Sequence, residues 1–368
     1  MEIPLSRPDI TEADVEAVTS VLRTPYLSIG PKIEAFEERT ASLSHRRFAV
    51  GVSSGTAALH LIVRALGIGP GDEVITSPFS FVASANCVMY EGAKPVFVDV
   101  DRATLNIDVT RIPDAVTANT RAILAPDIFG LPCDWPTLRK LATKHPLMLI
   151  EDSCEALGAA IGNRPAGVFG EAAAFAFYPN KQITTGEGGV IVTDREDLAA
   201  ACRSLRNQGR GTSGEWLEHE RLGYNYRLDE MSAALGLSQL DRLEEILARR
   251  RQVAGWYIER LREIKGVGTL TEPEGFTRSW FVFVVLLPED ADRATVMAKL
   301  RSAGVACRDY FSPIHLQPYM REALGTAEGD FPVTEAVSRR TLALPFFTRL
   351  EEAQVDAVVS ALRDALAE

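Results

Sequence analysis

The chain has 368 residues, a length that suggests about two domains. Its 46% apolar and 24% charged composition is that of a globular protein, and no apolar run approaches the ~18 residues of a membrane span. A net charge of −11 disfavours nucleic acid and anionic membranes as partners.

The opening, MEIPLSRPDITEADVEAV, has no basic region followed by an apolar core, so no signal peptide is expected. Phe48 to Val52 reads as a strand. Ala57 to Leu66 reads as a helix, with Leu59, Ile62, Val63 and Leu66 on one face. Gly67-Ile68-Gly69-Pro70-Gly71 lacks the GxGxxG spacing and follows a helix, so it is a turn rather than a dinucleotide loop. Strands are predicted at Glu73 to Thr76, Lys94 to Val100, Arg121 to Ala125 and Leu147 to Ile150. A helix through Ala85 to Tyr90 and one opened by Pro136 lie between them. Strands at Ala173 to Phe177 and Gly189 to Thr193 follow. Thr193 and Glu196 have capping-box spacing before a helix carrying Leu198, Cys202 and Leu205. This alternation predicts an α/β fold with a largely parallel sheet covered by helices on both faces.

The pattern changes after about residue 228. Leu228 to Ile264 is mostly helical, and Arg249 to Arg251 read as its solvated face. A break at Gly266 to Gly275, a strand at Trp280 to Leu287, a helix at Ala294 to Ala303 and a last helix from about Glu351 complete the chain. Residues 1–248 are therefore expected to form a large domain and residues 249–368 a smaller α+β domain.

The five cysteines and five histidines are scattered, with no CxxC or HExxH pattern. Free thiols in a reducing cytoplasm, and no metal site, are expected. Three other places carry the chemistry. Lys181 follows an apolar strand and precedes the turn TTGEGG. A lysine where a buried strand gives out can be desolvated yet open to a carbonyl, as an imine-forming amine must be. Asp152, 29 residues earlier, ends the apolar run PLMLIED at a strand's carboxyl end, where ligands bind in open α/β sheets. Ser54-Gly55-Thr56 lies between a strand and a helix N-terminus, whose free N–H groups favour an anion. Amine, carboxylate and phosphate cradle together point to pyridoxal 5′-phosphate (PLP).

The stretches SRPDITEADVEAV, SIGPKIEAFEE, SSGTAALHL, GDEVITSPFSFVASAN, AKPVFVDVD, IEDSCEALGA, FYPNKQITTGEGG, LGYNYRLDEMSAALGLSQL and FSPIHLQPY occur in this order. Together they resemble the DegT/DnrJ/StrS family of PLP-dependent nucleotide-sugar aminotransferases. The resemblance implies a fold-type-I architecture and a homodimer with shared active sites. It makes Lys181 the cofactor-linked lysine and Asp152 the partner of the ring nitrogen. It makes Gly55 and Thr56 part of the phosphate turn and Phe81 the ring that stacks on the cofactor. Asn225 would reach the phosphate from the other subunit, with Arg227 assisting, and Tyr310 and His315 would lie near substrate.

Two positions depart from the family's usual pattern. Ala176 stands where many members have a phosphate-binding serine. Many members have His or Gln beside the cofactor's ring oxygen where this chain has Glu155; some sugar 4-aminotransferases, the perosamine synthases among them, resemble it in having Glu there. A carboxylate there would repel a phenolate unless a proton is shared. The resemblance implies transfer of an amino group from L-glutamate to a nucleotide-linked keto sugar, with a 4-keto-6-deoxy sugar favoured by Glu155. Alternatives are a sugar 3-aminotransferase of natural-product glycosylation, and a non-catalytic or regulatory protein that retains the fold. The family's dehydratase branch carries histidine in place of the lysine, which Lys181 argues against.

Overall fold

The computed structural model describes residues 2–211 and 218–367. Helices α1 (Glu12–Leu22) and α2 (Pro31–Leu43) precede strand β1 (Phe48–Val52). Helix α3 (Gly55–Ala65), β2 (Glu73–Thr76), α4 (Ala83–Met89), β3 (Lys94–Phe97), β4 (Thr120–Pro126) and β5 (Met148–Asp152) follow. β6 (Ala172–Ala176) and β7 (Gly189–Thr193) complete a seven-stranded sheet of order β1-β7-β6-β5-β4-β2-β3. Only β7 runs against its neighbours.

Strand alternation explains why both faces are covered. Val50, Val52, Ala172, Ala174 and Ile191 point into one apolar cluster, shared with Leu59, Ile62 and Val63 of α3. Ala49, Ala173, Phe175, Val190 and Val192 point into the opposite cluster, with Phe36 of α2 and Ala233 and Leu240 of the helix Glu230–Asp241. Strands buried on both faces have near-continuous apolar sequence, which is why they were legible.

A second, four-stranded antiparallel sheet of Gly268–Thr269, Phe283–Leu286, Thr341–Leu344 and Arg308–Asp309 lies in the C-terminal part. Helices Arg293–Ser302 and Glu352–Ala367 pack with it. The helix Leu243–Leu261 joins the two units: Leu243 and Ile246 lie in the large-sheet core, while Val253, Ala254, Tyr257 and Leu261 lie in the second core.

Several local expectations need correction. Arg195, not Thr193, sits at the N-cap of the helix Glu196–Arg206, and no capping box forms. The Thr193 hydroxyl instead donates to the Glu171 carbonyl at 2.6 Å, because Thr193 still belongs to β7. The long helical stretch breaks at Arg242. The first residues belong with the C-terminal unit: Ile3 pairs with Val305, and the Phe346 amide donates to the Leu5 carbonyl.

The arginine triplet is not one solvated face. Arg251 is exposed, but Arg250 is buried. Its guanidinium donates to the carbonyls of Trp280 (2.7 Å) and Phe281 (2.8 Å) and to the Thr348 hydroxyl (3.1 Å). Burial lowers its pKa to about 10. Arg250→Met should therefore cost roughly 1–3 kcal/mol for each carbonyl left unpaired, whereas Arg251→Met should be nearly neutral. Urea denaturation of the two variants checks this.

Candidate active site

Parallel strands end on the same edge of a sheet, and there the chain leaves a cavity of about 510 Å³. Asp127 follows β4, Asp152 ends β5, and Lys181 follows β6 by five residues; all three line the cavity, as do Ser54, Gly55 and Thr56 where β1 passes into α3. Of the residues singled out from sequence, Phe81, Glu155, Ala176 and Tyr310 also line it.

The helix start is shaped for close approach. Ser54 caps α3 by accepting from the Ala57 amide at 3.0 Å. A Cβ on Gly55 would lie 2.7 Å from the Ala176 Cβ and 2.8 Å from the Cys154 Sγ. Glycine is thus required at Gly55 by packing across from Ala176, the position where a serine was expected.

Lys181 is held by a folded-back turn. Its amide donates to the Tyr178 carbonyl at 2.9 Å. The Thr185 amide and the Thr184 hydroxyl both return to the Phe177 carbonyl at 3.0 Å. The amine nitrogen lies 3.7 Å from Glu155 Oε1 and 4.2 Å from the centre of the Phe281 ring. Glu155 Oε2 accepts from the Phe129 amide at 2.8 Å, and only 12% of its side chain remains exposed. Burial raises its pKa from 4.5 to about 7, against the opposing pull of Lys181.

Asp152 is oriented by two donors, the Ser84 hydroxyl at 2.6 Å and the Cys154 amide at 3.3 Å. Ser80 pairs with Ser84 at 2.8 Å. The Tyr310 hydroxyl lies 3.5 Å from the Asn180 amide nitrogen, and burial pushes its pKa up to about 12. Among the described residues, Asn180 Oδ1 is buried with no hydrogen-bond partner. Phe81 is 58% exposed although apolar, so core packing does not account for it.

Three residues named from sequence do not reach this cavity. His315 is fully buried, 3.1 Å from Glu335 Oε1 and packed on Phe331, and burial lowers its pKa. Its turn is anchored through Ile314 in an apolar cluster with Phe97 and Met320, which turns the ring away. Arg227 donates to Asn207 Oδ1 at 3.1 Å, and Asn225 is exposed outside its own chain's cavity. Ser84, Phe281 and Asn180 were not singled out from sequence. Ser84 carries no signal of its own within SPFSFVAS, and Phe281 comes from the C-terminal unit with no local signal.

An amine, an oriented carboxylate, a helix N-terminus that tolerates no side chain and an unburied ring over one cavity fit PLP. That set is the site of a PLP-dependent enzyme. The DegT/DnrJ/EryC1/StrS aminotransferase family profile matches residues 8–363. The chain is 37% identical to the GDP-perosamine synthase of Caulobacter vibrioides over 370 residues, covering 99% of this chain and 98% of that one. It is 38% identical over 351 residues to the UDP-N-acetyl-3-dehydro-alpha-D-glucosamine 3-aminotransferase of Acidithiobacillus ferrooxidans, covering 95% and 92%. Its fold matches Spr1654 of Streptococcus pneumoniae in the PLP form with a TM-score of 0.95 and 28% identity, over 99% and 98% of the two chains. The chain belongs to the DegT/DnrJ/EryC1/StrS aminotransferase family and is a PLP-dependent sugar aminotransferase.

Gly55→Ala should weaken PLP binding and destabilise the fold by roughly 1–3 kcal/mol through overpacking. Adding Ala176→Gly should recover part of both losses, measured by cofactor titration and urea denaturation.

Proposed function

We propose that this enzyme moves the amino group of L-glutamate to a nucleotide-linked keto sugar, with a 4-keto-6-deoxy sugar as acceptor. It works in the cytoplasm as a homodimer whose active sites draw on both chains. The observation that carries this reading is the single cavity in which Lys181, Asp152 and Glu155 face the N-terminus of α3. Glu155, 3.7 Å from the Lys181 amine, supports the preference for carbon 4 through the family pattern described above.

PLP supplies an aldehyde for amine exchange and a ring that withdraws electrons from the carbon losing its proton. The residues supply the rest. Lys181 would be the amine that holds the cofactor and the base that takes and returns the proton at the α-carbon of the donor. Its tether in the folded-back turn keeps it at the cavity. Asp152, fixed by Ser84, holds the proton of the ring nitrogen through a charge-assisted hydrogen bond. Gly55 and Thr56 offer backbone and hydroxyl donors to the phosphate. Phe81, which lines the cavity, would stack on the ring. Glu155 holds or releases a proton near neutrality beside the Lys181 amine. Asn180 Oδ1 and Tyr310 are placed to take hydroxyl groups of the sugar.

Exposed apolar side chains favour the homodimer. Phe81, Tyr178 and Leu222 are 58%, 53% and 75% exposed, the first two at the cavity and the third close in sequence to Asn225. A partner chain seated beside the cavity would cover the first two. Asn225, with Arg227, would then serve the partner's phosphate.

Lys181→Ala should lower turnover by roughly a thousandfold or more and remove the absorbance of the lysine-linked cofactor. The assay is a screen of UDP-, dTDP- and GDP-linked keto sugars with glutamate, with the product read by mass and NMR. Full activity in that variant, or no amino sugar from any acceptor, would overturn the reading.

Glu155 gives a pH prediction. Its folded pKa of about 7 lies above the ordinary 4.5, so between these values the folded state binds more protons than the unfolded one. This group therefore makes the cofactor-free protein less stable as pH rises through that window. Urea denaturation at about pH 5 and about pH 7.5 should show a smaller loss in Glu155→Gln than in the parent. The same variant should shift the pH titration of the bound cofactor's absorbance.

A further inference from the structure

Against α3 lies a buried polar network that the chemistry above does not use. His60, 4% exposed, sits on α3 one and a half turns beyond Gly55. Its Nε2 is 2.7 Å from Glu91 Oε1, and its Nδ1 is 3.3 Å from the Tyr226 hydroxyl. Glu91, 8% exposed, also accepts from Arg64 (2.6 Å) and from the Tyr224 hydroxyl (3.2 Å). With Nε2–H donating to Glu91, Nδ1 is left as acceptor for Tyr226, so each polar group in the network is matched.

The network grips one short extended segment. The Tyr224 amide donates to Leu205 (2.7 Å) and the Tyr226 amide to Arg206 (2.9 Å), while the Ser53 amide donates to Tyr226 (2.9 Å). Side chains alternate along extended backbone. Tyr224 and Tyr226 stack on one another, 5.0 Å apart and 12° from parallel, over the His60 ring. Asn225 between them is consequently turned the other way, into solvent. A buried polar cluster of this kind costs stability unless fully satisfied, and what it fixes is geometry. Here the geometry fixed is the direction of Asn225.

We propose that His60 and Glu91 position the segment 224–227 so that Asn225 meets the cofactor phosphate of the partner subunit, a role that rests on the reading of Asn225 given above. The same helix then serves both sites of the dimer. Its N-terminus cradles the phosphate in its own chain, and His60 aims the residue delivered to the other chain.

Titration of PLP into cofactor-free homodimers tests this, with the affinity read from protein fluorescence. His60→Phe keeps the packing and Tyr226→Phe removes only one hydroxyl. Each should weaken PLP binding by about tenfold, the scale of one lost hydrogen bond that positions a group. Mixed dimers give the deciding measurement. In a dimer of one His60→Phe chain and one Lys181→Ala chain, separated by different tags, the only Lys181 belongs to the His60→Phe chain. Its phosphate meets Asn225 from a chain whose His60 is intact. Affinity at that site, read from the absorbance of the lysine-linked cofactor, should return to the parent value. Persistent weak binding there would show that His60 acts within its own chain and would overturn the proposal. The Tyr226→Phe chain paired in the same way keeps the test open if His60→Phe fails to fold. Asn225→Ala homodimers separate the two ideas. Unchanged affinity in them would remove the reading of Asn225 itself, whereas weak Asn225→Ala with normal His60→Phe and Tyr226→Phe binding would remove only the network's role.

Discussion

Parallel pairing of β5 with β6 is the constraint on which the site depends. Ile150 lies opposite Ala172 and Asp152 opposite Ala174, so the two strands deliver their carboxyl ends to the same edge. The register places the Asp152 carboxylate at the strand end, and the chain needs only a short turn beyond Ala176 to bring Lys181 back over it. A slip by one residue would send Asp152 to the opposite face of the sheet. The alternating apolar sets that hold β6 between its two clusters forbid that slip. Core packing and catalytic geometry are in this sense one requirement.

The lysine's surroundings show how a second unit completes a site begun by the first. Phe281 comes from the C-terminal part, yet its ring lies under the Lys181 amine. It is held there by the carbonyl that Arg250 fixes, and Arg250 stands on the helix common to both cores. The Arg250 guanidinium also lies 3.4 Å from the Asn180 carbonyl, next to Lys181 in sequence. One buried cation thus ties the lysine loop to the unit that supplies its apolar wall. Gln182 adds a second tie, donating to the Glu155 and Ser279 carbonyls.

What the sequence made legible follows from what is local. Strands buried on both faces announce themselves as apolar runs, and a lysine or aspartate at the end of such a run is visible by position alone. Gly55 was visible as a turn glycine, but the reason for it was not, because the atoms that exclude a side chain belong to Ala176 and Cys154, both more than ninety residues away. Arg250 was read as solvated because its neighbours Arg249 and Arg251 have the composition of a wet face, and nothing local tells which of three arginines turns inward. His315 was read near substrate from its block, yet the apolar anchor at Ile314 sets its direction. Thr193 and Glu196 had the spacing of a cap, but Thr193 was already committed to a strand.

Charge gives an independent reason to look beyond one chain. Among the described residues that line the cavity, Lys181 is the one basic side chain, while Asp127, Asp152, Glu155 and Glu187 are acidic. Burial pushes Asp127 up to about 8 and Glu155 up to about 7, so neither need carry a full charge near neutrality. On the proposed reading, in which Lys181 is linked to the cofactor, a phosphate with close to two negative charges would enter a cavity whose described lining holds no other basic side chain. The N-terminus of α3 contributes only about half a positive charge, and Ala176 brings no hydroxyl. On the proposed reading of the dimer, the segment carrying the exposed Asn225 and the half-buried Arg227, gripped from behind by His60 and Glu91, has the chemistry to supply part of the remaining compensation.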